Sequence, residues 1–206
     1  MTTQRVFIID DDPAVRDALV TLVESVGLIA EHFSSANAFL SHYNTDTPGC
    51  LITDICLPGM DGIQLQQVLK ERAINLPLIA ISAHGDIAMA VKMVRGNAID
   101  FIEKPFRNHV MLQRIHEALE IDYQQRQQSS EVKRLHEQLN QLTPREKETL
   151  NFLLDGKSNK VIARELSISP RTIETHRANI LRKMQAESVT ALAKLINNNL
   201  HNSTDK

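Results

Sequence analysis

The sequence predicts a doubly wound α/β sheet followed by a smaller all-helical domain. Within about the first 120 residues, five short apolar runs alternate with helix-period segments, the pattern of a parallel sheet covered by helices. The runs are continuously apolar, as strands buried on both faces require. The charge is also divided. Residues 1–124 carry nine Lys+Arg and 16 Asp+Glu, a net of −7, whereas residues 141–206 carry 11 and seven, a net of +4. An acidic half and a basic half suggest different partners, cations for the first and a phosphate backbone for the second.

Val6–Ile9 forms the first run and ends in Asp10-Asp11-Asp12. Pro13 after Asp12 reads as a helix cap followed by the first helical position. Val15, Leu19, Leu22 and Val26 then recur at helical spacing until Gly27. Leu28–Phe33 is the second strand and Ser34–Tyr43 a short helix. Cys50–Thr53 is the third strand, ending at Asp54, and Ile63–Ala73 is helical with Ile63, Val68 and Leu69 facing a core. Leu78–Ile81 is the fourth strand. Asp86 caps a helix through Val94, ended by Gly96. Ile99–Glu103 is the fifth, followed by Lys104-Pro105, and Val110–Tyr123 is a helix with Leu112, Ile115 and Leu119 inward.

Residues 124–140 are rich in Gln and charge and contain neither Gly nor Pro. They read as a solvated linker, but Val132, Leu135, Leu139 and Leu142 fall at a and d spacing, which also fits a linker helix or a short coiled coil. Thr143-Pro144-Arg145-Glu146 is a capping box opening a helix that runs to Asp155 and stops at Gly156. Asn159–Leu166 is a short helix and Ser167–Ser169 a tight turn. A further helix runs from Pro170 to about Met184, and a last one, Ser188–Asn198, carries Val189, Leu192, Leu195 and Ile196. The expected division is an α/β domain over 1–123, a helical linker over 124–140, a helical domain over 141–200 and a flexible tail over 201–206.

Hydrophobic residues make up 42% of the 206, enough for real cores. No run approaches the roughly 18 apolar residues of a membrane helix, and no signal peptide opens the chain, so a cytoplasmic protein with no membrane partner is expected. Cys50 and Cys56 are too few for a disulfide framework or a four-ligand zinc site and read as reduced packing residues.

In an open parallel sheet, ligands bind beyond the carboxyl ends of the strands where strand order reverses. In the flavodoxin-like order 2-1-3-4-5, strands one and three are neighbours at that point. Asp10, Asp11 and Asp54 would then converge in one cleft, an arrangement that calls for a hard cation such as Mg²⁺. Ser82 ends strand four and Lys104 ends strand five. A hydroxyl, an ammonium and a cation around one Asp make a phosphoryl-transfer site in which the carboxylate attacks.

The segments VFIIDDDPAVR, LITDICLPGMDG, LIAISAHGD and DFIEKPF resemble receiver domains of bacterial response regulators over about residues 4–122. The resemblance implies Asp54 as phosphoacceptor and Asp10 and Asp11 as the metal pair, with the backbone carbonyl of Cys56 as a further ligand. It implies Ser82 as the switch hydroxyl, Lys104 as a phosphoryl contact, Phe101 at the aromatic switch position and a cis Lys104-Pro105 bond. Ser82 stands where Thr is commoner, and Phe101 where Tyr is. The helix of about 86–95 and strand five would form the switching surface, where such receivers commonly dimerise.

In the basic half, helix, tight turn, helix is the helix-turn-helix layout, which alone does not exclude a plain bundle. The helix from Pro170 puts Ile173, Ile180 and Met184 on one face and Arg171, Glu174, Thr175, Ala178 and Arg182 on the other. Lys160, Arg164, Arg171, Arg177 and Lys183 are candidates for phosphate contacts. LTPREKETLNFLLDGKSNKVIARELSISPRTIETHRANILRKM closely resembles the LuxR-type DNA-binding domain. The resemblance places Glu174, Thr175 and Ala178 toward bases, with Arg171, Thr172, Arg177, Arg182 and Lys160 as further DNA contacts and His176 partly inward. It makes Leu192 and Ile196 the apolar contacts of a dimer surface.

Together the halves resemble response regulators of the FixJ/NarL type, nearer the FixJ side. The implied function is a phosphorylation-controlled transcription factor. Its implied partners are a sensor histidine kinase, promoter double-stranded DNA and a second copy of the chain on phosphorylation, with RNA polymerase a candidate. It would be no enzyme beyond Mg²⁺-dependent self-phosphorylation and self-dephosphorylation. A phosphohydrolase with an Asp nucleophile is the enzyme alternative, but such enzymes usually carry a second carboxylate two residues on, where this chain has Cys56. A constitutive DNA binder with an inert receiver is the other alternative, and the full set Asp10, Asp11, Asp54, Ser82 and Lys104 argues against it.

Overall fold

The computed structural model describes residues 4–83 and 87–201. The chain divides into two compact units, Met1–Arg126 and Gln127–Lys206.

The first unit is built on five strands: β1 (Arg5–Ile9), β2 (Ile29–Phe33), β3 (Gly49–Asp54), β4 (Leu78–Ser82) and β5 (Asp100–Glu103). All neighbours pair in parallel in the order β2-β1-β3-β4-β5, the order expected. The helices are α1 (Pro13–Glu24), α2 (Ala36–His42), α3 (Gly62–Glu71), α4 (Ile87–Arg95) and α5 (Asn108–Asn140). Strand side chains alternate between the two faces. Val6, Ile8, Cys50, Ile52, Ile79 and Ile81 meet Leu19 and Val23 of α1 and Met111, Ile115 and Leu119 of α5. Phe7, Ile9, Leu51, Leu78 and Ala80 meet Phe39 of α2, Leu65 and Leu69 of α3 and Met93 of α4. Both faces are covered, which is why β1, β3 and β4 read as unbroken apolar runs.

Two side chains expected on the core faces lie elsewhere. Val26 is exposed because α1 ends at Glu24, after which Gly27 takes a positive φ of 77° and turns the chain away. Val68 is only half-buried, and Leu65 takes the inward place on α3. Asp86, expected to cap α4, lies outside the described residues.

The sequence predicts a helix ending at Tyr123 followed by a helical linker over 124–140. Residues 124–140 are helical, and α5 runs without interruption from Asn108 to Asn140, with the boundary between the units falling within it. The a/d seam also differs from a coiled coil. Leu135 and Leu142 are buried, with Leu139 partly so, in the core of the second unit. Their apolar surface is covered by their own chain.

That second unit adds α6 (Pro144–Leu154), α7 (Asn159–Glu165), α8 (Pro170–Lys183) and α9 (Val189–His201). Its core joins Leu135 and Leu142 to Leu150, Leu153, Ile162, Ile173, Ile180 and Met184. Leu192 and Ile196 belong to the same cluster, at 0% and 5% exposure. This corrects their expected role as dimer contacts, since a side chain already packed in the domain core cannot form an apolar surface for a partner. Among the described side chains of α9, the large apolar one left exposed is Leu195. The capping box at Thr143 is formed in both directions, with Glu146 accepting from the Thr143 N–H at 2.8 Å. The same Glu146 carboxylate is buried and receives Lys183 Nζ from the end of α8 at 2.7 Å. Among the described residues, no helix is long and apolar enough to cross a membrane.

Candidate functional site

The parallel register brings four strand ends to one rim. Ile9 pairs with Thr53, Asp54 with Ile81, and Ser82 with Glu103, so Asp10, Asp54, Ser82 and Lys104 emerge side by side. Asp10 and Ser82 are fully buried and Asp54 nearly so, while Asp11 is exposed at the mouth. Oxygens of Asp10, Asp11 and Asp54 lie within 4.8 Å of one another, a set that can hold a metal ion. Lys104 Nζ bridges the buried pair, 2.6 Å from Asp10 Oδ2 and 2.6 Å from Asp54 Oδ2.

The electrostatics follow from this crowding. Burial pushes the Asp10 carboxyl above its ordinary range, with the Asp54 charge adding to the rise, and the bonds from Lys104 and the Asp12 N–H only partly offset it. Burial pulls the Lys104 ammonium down, but its two carboxylate partners outweigh that and hold it above the ordinary lysine range. Three carboxylates against the Lys104 ammonium and the Arg16 guanidinium still leave a surplus of negative charge, and oxygen donors of this kind suit Mg²⁺.

Backbone groups fix the acids. Asp54 Oδ1 accepts from the Cys56 N–H at 2.8 Å, and Asp10 Oδ1 accepts from the Asp12 N–H at 3.0 Å. Asp12 caps α1 by accepting from the Ala14 N–H at 2.8 Å. The Lys104 N–H donates to Ser82 O at 2.8 Å, tying strand ends four and five, and Lys104-Pro105 is cis. The Ser82 hydroxyl lies 3.9 Å from Cys56 Sγ. Phe101 is half-buried against the α3 and α4 side of the sheet. Of the two thiols, Cys50 fits the packing role, buried and with its pKa pushed up by that burial. Cys56 does not, because the turn after Asp54 leaves it exposed at the pocket.

Two residues of this pocket escaped the sequence reading. Arg16 donates from Nη1 to the carbonyls of Asp10 and Asp11, at 2.6 and 3.1 Å. Gly62 lets α3 start against the end of β3: a Cβ there would stand 2.8 Å from Asp54 O and 2.9 Å from Ile55 Cα. The signal for Gly62 was present in LPGMDG. Arg16 looked like any polar helix residue.

In the second unit, α7 and α8 are joined by a turn in which Ser167 takes a positive φ of 55°. Ser169 caps α8, its Oγ accepting from the Thr172 N–H at 3.1 Å. Ile173, Ile180 and Met184 are buried, whereas Arg171, Glu174, Thr175, Arg177, Ala178 and Arg182 are exposed, as is Lys160 on α7. His176 is half-buried. Thr172 is also half-buried, and its hydroxyl shares a hydrogen bond with Ser169 Oγ at 2.9 Å. Lys183 is corrected as a phosphate contact, because its ammonium is held by Glu146 and by Gln141 O. Replacing Ser169 with Ala is expected to lower the unfolding free energy of this unit by about 1 kcal/mol, the worth of one N-cap, as read in urea melts of the full chain.

Residues 6–116 match the model of the response regulator receiver domain, and residues 140–196 that of the bacterial regulatory proteins of the luxR family. The chain belongs to the response regulators that pair a receiver with a LuxR-type DNA-binding domain. It is 45% identical over 190 residues to the response regulator protein TodT of Pseudomonas putida, covering 92% of this chain and 84% of that one. It is 38% identical over 196 residues to the transcriptional regulatory protein FixJ of Bradyrhizobium diazoefficiens, covering 95% and 96%. Among solved structures, the response regulator StyR superposes with a TM-score of 0.90 at 37% identity, over 95% of this chain and 99% of that one. Full-length FixJ from B. japonicum superposes at 0.59 and 37% identity, over 95% and 96%. The chain is thus a transcriptional response regulator in architecture and in kinship.

Proposed function

We propose that Asp54 is phosphorylated by a sensor histidine kinase and that the acyl phosphate controls promoter binding by α8. The observation that carries this reading is the bridge of Lys104 across Asp10 and Asp54, with Asp11 beside them, at the switch point of the sheet. An Asp54 carboxylate oxygen forms the new bond to phosphorus, the bond from phosphorus to the donor imidazole breaks, and the imidazole leaves. Asp10, Asp11 and Asp54, with the Cys56 carbonyl, would hold Mg²⁺, which supplies charge neutralisation for the phosphoryl oxygens. Lys104 then exchanges a carboxylate partner for a phosphoryl oxygen, and Ser82 reorients toward the same group. The chain acts on itself only, taking up and losing its own phosphoryl group.

The new charge, about −1.5 to −2, biases α4 and β5 between two arrangements. Val91 and Val94 stand exposed on α4, and this face would bring two phosphorylated copies together. Arg171, Arg177, Arg182 and Lys160 contact phosphates, while Glu174, Thr175 and Ala178 face the bases, Glu174 able to accept from a cytosine amine. Bound at a promoter inside the cell, such a dimer is placed to meet RNA polymerase.

The test compares promoter duplex binding by the full chain with and without acetyl phosphate and Mg²⁺. Phosphorylation is expected to tighten binding about tenfold or more, within the usual range of allosteric coupling. Equal affinity in both states would instead mark the receiver as inert.

A further inference from the structure

Arg16 sits in the first turn of α1 with its guanidinium turned back on the chain. One nitrogen, Nη1, donates to Asp10 O at 2.6 Å and to Asp11 O at 3.1 Å. Those carbonyls belong to two of the three acids whose side-chain oxygens cluster within 4.8 Å. We propose that Arg16 is a positioning residue for the divalent-cation site, holding the loop after β1 so that Asp10 points into the pocket while Asp11 stays at its mouth. The inference rests on the acid cluster being a cation site.

Among the described residues, the cationic side chains of Lys104 and Arg16 both reach the pocket, and they contact different atoms. Lys104 sits on the carboxylates of Asp10 and Asp54, where an entering cation must compete with it. Arg16 sits on backbone carbonyls and takes no carboxylate lone pair. It can therefore stay in place while a cation binds. Groups behind metal ligands commonly set ligand orientation in this way. The loop's other bonds hold its two ends, the Asp10 N–H on Phe33 O at 3.3 Å, Lys104 Nζ on Asp10 Oδ2 at 2.6 Å and the Arg16 N–H on Asp12 O at 3.1 Å, whereas the Arg16 guanidinium reaches the exposed Asp11 through its carbonyl.

Charge and geometry predict opposite signs when Arg16 is removed. As a positive charge beside three carboxylates, Arg16 opposes a dication, so its loss would tighten binding. As a clasp on the loop it pre-forms the site, so its loss would weaken binding.

The experiment titrates Mg²⁺ into the full chain by calorimetry, without a phosphodonor. Arg16→Met is expected to raise the Mg²⁺ dissociation constant about tenfold, as losses behind metal ligands do. Arg16→Lys keeps the charge but ends one bond short, and is expected to weaken binding by a smaller factor. Unchanged or tighter binding by Arg16→Met overturns the proposal. Should circular dichroism show that this variant does not fold, Arg16→Lys decides alone, and parental affinity there overturns it. A parent chain that binds no Mg²⁺ overturns both this inference and the pocket reading. A parent that binds, beside variants that bind equally well, overturns this inference only.

Discussion

Asp54→Asn is expected to abolish incorporation of phosphate from acetyl phosphate in the presence of Mg²⁺, and with it any phosphate-dependent gain in DNA binding. The three acids of the pocket do different work. Asp10 is fully buried, bonded to Lys104 and to the Asp12 N–H, so its oxygens are engaged on two sides. Asp11 is exposed at the mouth, and Lys104 contacts Asp10 and Asp54 rather than Asp11. Asp54 is held by a matching pair of donors, the Cys56 N–H and the Lys104 ammonium, but it ends the central strand β3 and keeps 7% of its surface exposed where Asp10 keeps none. Asparagine keeps the shape, and its amide oxygen can still accept from Cys56, but it has no nucleophilic carboxylate oxygen. It loses the ion pair with Lys104 but also one of three mutually repelling charges, and Lys104 keeps Asp10 as its partner, so the variant should melt close to the parent. Loss of labelling with retained stability would locate the chemistry at this residue. Labelling at parental levels in Asp54→Asn would end the assignment, and labelling that moves to Asp11 would show that the pocket selects its acceptor less sharply than the geometry implies.

What the sequence made legible was what a local rule encodes. Apolar runs ending in Asp or Lys located strands and pocket together, because a parallel sheet places its functional groups at strand ends. The caps at Asp12, Thr143 and Ser169 were legible because each is a residue type at a fixed offset. What failed was partner assignment. The seam of Leu135 and Leu142 and the pair Leu192 and Ile196 have the periodicity of an exposed apolar stripe. Periodicity states that a face is covered and not by what, and here the cover is the domain's own core. Lys183 likewise read as one more basic residue at the DNA, since its partner Glu146 lies 37 positions away and no spacing rule joins them. Arg16 was opaque for a different reason: it binds backbone carbonyls, which carry no sequence signature.

The Glu146–Lys183 pair carries the second large expectation. Glu146→Ala is expected to destabilise the C-terminal unit by about 3 kcal/mol in urea melts, the low end for breaking a buried pair because Lys183 keeps 22% of its side chain exposed. The substitution removes the carboxylate that satisfies the Thr143 N–H and leaves the Lys183 ammonium with only Gln141 O. Lys183→Met should be as damaging, since it strands a carboxylate that is 3% exposed as a residue. Removing both partners should cost less than the sum of the two single changes. Acid gives an independent check. Burial pushes the Glu146 carboxyl up, but the hydrogen bonds from Lys183 and Thr143 and the Lys183 charge outweigh it and hold it below the ordinary range. A carboxyl depressed in the folded state stabilises the fold above its unfolded pKa of about 4.3, and that contribution fades as pH falls through the folded value. The parent should therefore lose stability below about pH 4.3 more steeply than Glu146→Ala, whose acid limb lacks this group. Because the pair ties the first turn of α6 to the last turn of α8, its loss should also loosen the seating of α8 and weaken duplex binding. Parallel acid limbs, together with an unchanged urea midpoint, would show that the pair contributes nothing and that α8 is seated by its apolar face alone.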